Sequence, residues 1–247
     1  MTLPALAAGP LDDPDLGTDR YARCLALAQR DAAAAFQAAT SWQADGGGAA
    51  SVHCQAIALV GQRRYSEAAS RLDQLARDPA TGSATGRSEL FDQAGNAWIL
   101  ARQPTKADGS FTEALALTPG DPDILSDRAR ARGARKDWAG AEKDLNAVLA
   151  ADPNRVDLLV LRASARHAQG RKAEARADID HALTLYHDYP EALVERGEMK
   201  GETGDTAGAL ADWNRVLAVD PNGAAAKAAR AHIAEVQAPP AAHATKP

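Results

Sequence analysis

The chain is poor in aromatic side chains, which make up only 4% of its 247 residues. It also lacks alternating runs of Val, Ile, Thr or Tyr long enough for a sheet. Alanine dominates its apolar fraction. Alanine has the best intrinsic helix propensity and takes little space where helices cross, so the composition suits closely stacked helices better than one thick globular core. No stretch approaches the roughly 18 consecutive apolar residues of a membrane-spanning helix. Basic clusters are missing as well: a net charge of −5 and a pI near 5.7 argue against a nucleic-acid partner, whose affinity would come mostly from grouped Lys and Arg. There is no G-x-S-x-G, no phosphate-cradling Gly-Lys-Ser/Thr and no dinucleotide fingerprint. Gly46-Gly47-Gly48 follows no strand and reads as a loop. These absences point away from an enzyme and from any cofactor.

What the chain has is a period. Arg128, Arg162, Arg196 and Arg230 stand 34 residues apart, each followed by a small residue: Ala129, Ala163, Gly197 and Ala231. Ala107, Ala141, Ala175 and Ala209 repeat in the same register, as do Phe111, Leu145, Ile179 and Trp213, and Asp144, Asp178 and Asp212. Pro119, Pro153 and Pro221 mark repeat ends, with His187 where the fourth would fall. In the unit beginning at Asp121, Leu125, Ala129 and Arg132 recur at helical spacing and define an inner helix. Lys136-Asp137 interrupt it, and Ala141, Leu145, Val148 and Leu149 define an outer one. Asp152-Pro153 end the outer helix, because proline and the residue before it resist helical continuation. Later units turn at Gly170-Arg171 and Gly204-Asp205, where glycine takes the left-handed conformation that closes a helix. Two such helices cannot bury their apolar faces alone, so neighbours must stack.

The 34-residue helix–turn–helix, with its Ala-x-x-x-Phe column and terminal Pro, resembles the tetratricopeptide repeat. Leu125, Leu159 and Leu193 stand where that family often has Trp, and Arg-Ala or Arg-Gly replaces its Leu-Gly pair. The resemblance implies an all-α, right-handed superhelical solenoid that holds a protein or peptide. It divides the chain into a leader over 1–18, degenerate helix pairs over 19–78, a loop over 79–88, four repeats over 89–220, a capping helix over 221–236 begun by Asn222, and a disordered tail over 237–247.

Within the repeats, the Arg and Asp columns read as pairs across each unit: Arg128 with Asp144, Arg162 with Asp178, Arg196 with Asp212. The competing reading is a ladder of charges gripping a ligand. By the family's geometry the concave face presents Asp92, Asn96 and Ile99, then Asp123, Ser126 and Arg130, then Asp157, Val160, Ser164 and His167, then Glu191, Val194 and Glu198. Relatives that clamp a terminal carboxylate carry Lys, Asn and Arg here. The Asp and Glu of this chain point instead to a neutral or basic segment, although acidic residues in a first helical turn also favour the helix dipole. A self-assembling module, or an accessory subunit of an envelope complex, is the alternative.

Cys24 and Cys54 are expected on the first helices of adjacent units, one turn apart after a shift by the period. Both a disulfide and two reduced thiols fit that placement. His53 beside Cys54 matches no standard zinc spacing, and His167, His181 and His187 lack the i,i+4 spacing of a helical metal pair, so no metal site is assigned. Ala5-Leu6-Ala7 resembles the cleavage end of a secretory signal, or an ordinary leader. With the cysteine pair it favours a periplasmic or secreted location over the cytoplasm.

Overall fold

The computed structural model describes residues 18–238, and among these it contains helices and short connections without a strand. The helices form successive antiparallel pairs: α1 (Thr18–Arg30) with α2 (Ala32–Ala44), α3 (Gly48–Gly61) with α4 (Tyr65–Arg77), α5 (Ala84–Leu100) with α6 (Pro104–Leu117), and α7 (Pro122–Ala134) with α8 (Trp138–Ala151). There follow α9 (Val156–Ala168) with α10 (Lys172–Leu185), α11 (Pro190–Glu202) with α12 (Thr206–Val219), and the single α13 (Ala224–Gln237). The chain divides into two compact units, 18–148 and 149–238, with the division inside α8. No described helix is long and apolar enough to cross a membrane.

The turn inside a pair has one recurring device. Arg102, Lys136, Gly170 and Gly204, each 34 residues from the next, all have positive φ, between 57° and 84°. Arg63 does the same with φ 60°; it lies five residues further from Arg102 than the period requires. Left-handed backbone suits glycine and costs other residues about 1 kcal/mol. Three of the turns therefore carry a small local penalty that packing of the flanking helices outweighs. The following helix is then often capped by a side chain: Asp137 accepts from Gly140 N at 3.0 Å and Asp205 from Gly208 N at 2.9 Å. The first pair has no left-handed turn; Asp31 alone breaks it, accepting from Ala34 N.

Packing follows the alanine columns. Ala107, Ala141, Ala175 and Ala209 are all buried, as are Phe111, Leu145, Ile179 and Trp213. Where the large side chain is aromatic, the residue facing it is glycine. A Cβ on Gly95 would fall inside van der Waals contact with the Phe111 ring, and one on Gly197 inside contact with Trp213. The aliphatic Leu145 and Ile179 have alanine, Ala129 and Ala163, at the matching positions. In the unit 149–238 the last pair closes on α13 through Leu193, Trp213, Val216, Ala225, Ala226 and Ala229.

Three expectations need correction. The stretch 79–88 is not all loop: Pro79–Thr81 forms a 3-10 turn, and Ser83 caps α5 by accepting from Gly86 N, so most of the five additional residues extend the helix N-terminally. The terminal helix is begun by Gly223 rather than Asn222, with no side-chain cap. Thr18 and Gln237, assigned to leader and tail, belong to α1 and α13. Residues 1–17 and 239–247 of those two segments lie outside the described residues.

Candidate functional site

Each aspartate of the Asp column sits between two cations. Asp144 is buried and accepts from Arg128 Nε and Nη2 at 2.9 and 2.8 Å, and from Arg132 Nη1 at 2.8 Å. Asp178 takes the same three bonds from Arg162 and Arg166, at 2.9, 2.7 and 2.8 Å. Asp212 takes two from Arg196, with Lys200 Nζ at 2.8 Å from its Oδ2. Burial alone would raise the Asp212 carboxyl, but hydrogen bonds from Arg196 and Lys200 outweigh it, and the net pKa is lowered. With both oxygens of each carboxylate engaged inside its own helix pair, these columns lock inner to outer helix. Arg132, Arg166 and Lys200 also stand 34 apart, a second periodic column legible in the sequence. Arg230, the last of the first column, donates to Pro221 O instead.

In the unit 18–148, the inner helices α5 and α7 carry a knot of carboxylates. Asn96 Nδ2 bridges Asp92 Oδ2 at 3.3 Å and Asp127 Oδ2 at 3.1 Å, and Arg130 pairs with Asp127 at 2.9 Å. Asp92 Oδ1 is buried and accepts no hydrogen bond. Burial first, then the charges of Asp127, Asp121 and Asp123, push the Asp92 carboxyl up to about 7. Asp123 is exposed in the first turn of α7, beside the capping Asp121. Ser126 does not belong to this surface: it is buried and donates to Pro122 O at 2.6 Å. Its register equivalents Val160 and Val194 are buried too. The accessible register is one residue on, at Asp127 and Glu195, because the position three residues after the first-turn acid turns towards the neighbouring helix.

In the unit 149–238, α9, α11 and α13 bring together residues far apart in sequence. Ser164 Oγ donates to Glu195 Oε1 at 2.5 Å, His232 Nε2 lies 2.7 Å from Glu198 Oε1, and His167 Nε2 lies 3.1 Å from Glu202 Oε2. Burial, with the charge of Glu198, raises the Glu195 carboxyl against the opposing bond from Ser164. Asp157 pairs with Arg155 at 3.3 Å, and Glu191 is exposed in the first turn of α11. His181 and His187 are exposed elsewhere.

Cys24 and Cys54 form a disulfide between α1 and α3, with Cα atoms 6.2 Å apart. Of the two states open to these cysteines, the structure has the disulfide. Neither sulfur is a thiolate, and the buried His53 ring is held on both nitrogens, by Tyr21 Oη at 2.5 Å and Gln93 Oε1 at 2.7 Å. Burial lowers the His53 pKa, against the Gln93 bond, and raises Tyr21 to about 12. A neutral imidazole receiving the Tyr21 proton donor and donating to Gln93 satisfies all three groups.

No protein-family model and no curated sequence matches the chain. Solved structures do match its fold. A MamA RS-1 double mutant gives a TM-score of 0.60 at 18% identity, covering 70% of this chain and 94% of that one. YrrB, described as a tetratricopeptide protein with an unusual peptide-binding site, gives 0.56 at 14% identity, covering 78% of this chain and 96% of its own. The Arabidopsis OM64 tetratricopeptide domain is 28% identical over 49% of this chain and 99% of its own, with a TM-score of 0.46.

Proposed function

We propose that this chain, a tetratricopeptide-repeat protein by its signature and its fold, works without catalysis as a scaffold that holds a neutral or basic segment of another protein. The observation that carries the reading is Asp92: a carboxylate oxygen buried without a hydrogen-bond donor, surrounded by Asp121, Asp123 and Asp127. Ionising this buried carboxyl is costly, and a cationic side chain from a partner would offset that cost. YrrB, which shares the fold, carries a peptide-binding site; that analogy is one of fold. The disulfide favours an oxidising compartment and so supports an exported scaffold.

The test is fluorescence anisotropy with short basic, neutral and acidic peptide pools against the whole chain. Basic peptides should bind best and weaken as salt rises, and the Asp92→Asn, Asp127→Asn double variant should bind them roughly tenfold less well. Preference for acidic peptides, or an unchanged double variant, would sink the reading. Exposed Leu185, Tyr186, Val219 and Val236 support a second reading, self-assembly, which predicts that size in solution rises with concentration.

A further inference from the structure

In the unit 149–238, two residues expected on the concave face, His167 and Glu198, join Glu195 in a side-chain cluster. One donor atom from each of His167, Glu195 and Glu198 lies within 4.8 Å of the other two. The three come from adjacent helices, α9 and α11, and all are half-buried, so an ion reaches them from solvent while losing part of its hydration. We infer that His167, Glu195 and Glu198 form a binding site for a divalent transition-metal ion of the zinc class.

Four observations converge on that assignment. The donor set is one imidazole and two carboxylates, which suits zinc or cobalt; calcium and magnesium take oxygen ligands alone. Each donor residue is oriented by a further group: His167 by Glu202, Glu195 by Ser164, and Glu198 by His232. Outer-shell hydrogen bonds of this kind hold metal ligands in place. His232 is in turn fixed by stacking on Trp213, with ring centroids 5.0 Å apart and planes 17° from parallel. Finally, Glu195, Glu198 and Glu202 bring three carboxyl groups together, with Lys172 at 2.6 Å from Glu202. Three carboxyl groups against one lysine favour a cation at this place.

Zinc bonds of about 2.0–2.2 Å to nitrogen and oxygen require donors closer together than they now stand. Small side-chain rotations on α9 and α11 supply that closure. Water fills the remaining coordination positions, since the protein offers three ligands. This inference does not depend on the identity of any partner.

The whole chain, freed of metal by chelator and dialysed, is titrated with Zn2+ by calorimetry and with Co2+ by visible absorption. One ion per chain is expected, with Co2+ ligand-field bands that report bound nitrogen and oxygen. His167→Ala and Glu198→Gln should each weaken binding by at least about tenfold, and His232→Ala by about tenfold through the outer shell. His181→Ala, on the exposed face of α10, should bind as the parent does. Circular dichroism melts without metal keep a folding defect distinct from a lost ligand; Glu198→Gln retains shape and serves where His167→Ala unfolds. Failure to bind one ion per chain, or binding lost in His181→Ala and kept in folded His167→Ala and Glu198→Gln, overturns the site.

Discussion

At the scale of single residues, Asp92 is the most informative side chain. Its acid character was legible in the sequence, but its missing hydrogen bond was not. That depends on Asn96 reaching across to Asp127 from the other oxygen's side. The consequence is a stability that depends on pH with an unusual sign. The folded state holds the Asp92 proton up to about pH 7, while an unfolded chain releases it near the ordinary carboxylate range. Between those limits the native state binds more protons, so stability falls as pH rises. Asp92→Asn should leave stability unchanged at about pH 4 and raise it by roughly 1–3 kcal/mol above pH 7. Urea unfolding at both pH values checks this, and an equal effect at both would mean that ionisation is not the cause. Asp212 has the opposite sign: its lowered pKa means that its contribution holds above the ordinary carboxylate range and is lost on acidification.

At the scale of helix pairs, size is traded across the contact. Gly197 faces Trp213 and Gly95 faces Phe111, while alanine holds the matching register positions in the units of Leu145 and Ile179. Gly197→Ala should gain up to about 1 kcal/mol of helix propensity and lose about 1–3 kcal/mol to overpacking against the ring, a net destabilisation. With Trp213→Leu already present, the same substitution should become stabilising. A double-mutant cycle by urea unfolding measures the reversal; a Gly197→Ala change that stabilises the parent would show that the contact has room. The pairing of Arg and Asp columns was legible because both partners share the period. The second cation on each Asp, from Arg132, Arg166 or Lys200, was equally periodic. One arginine can engage both oxygens of a carboxylate, so the period alone does not call for a second cation. In the pair α5–α6 the scheme changes: Asp73 of α4 accepts from Trp98 Nε1 at 2.9 Å and from Ser110 Oγ at 2.7 Å. Trp98 occupies the position of that second cation, so the register survives while the chemistry differs.

At the scale of the whole molecule, stability in stacked repeats is close to a sum of local terms. The disulfide then acts mainly where it lies, at α1 and α3 of the unit 18–148. It closes a loop of 30 residues, which stabilises by roughly 3–4 kcal/mol in the chain-entropy model. Reduction should speed amide hydrogen exchange through α1, α2 and α3 and leave α9 to α13 nearly unchanged. Protection that is unaltered everywhere would show that the buried Tyr21–His53–Gln93 chain and Trp42 already hold this region.

The sequence by itself determined the repeat, its helices and turns, the alanine and large-residue columns and the inner-to-outer ion pairs. All of these obey one period, and each is settled within a single helix pair. Tertiary structure alone decided which inner-helix residues meet across neighbouring pairs. His167 joins Glu195 and Glu198 at separations of 28 and 31 residues, and Asn96 joins Asp127 at 31. Such contacts follow from the tilt of one pair against the next and do not fall on the repeat period. For the same reason Ser126 is buried while Asp127 faces the acidic knot: a shift of one residue along a helix rotates a side chain by about 100°.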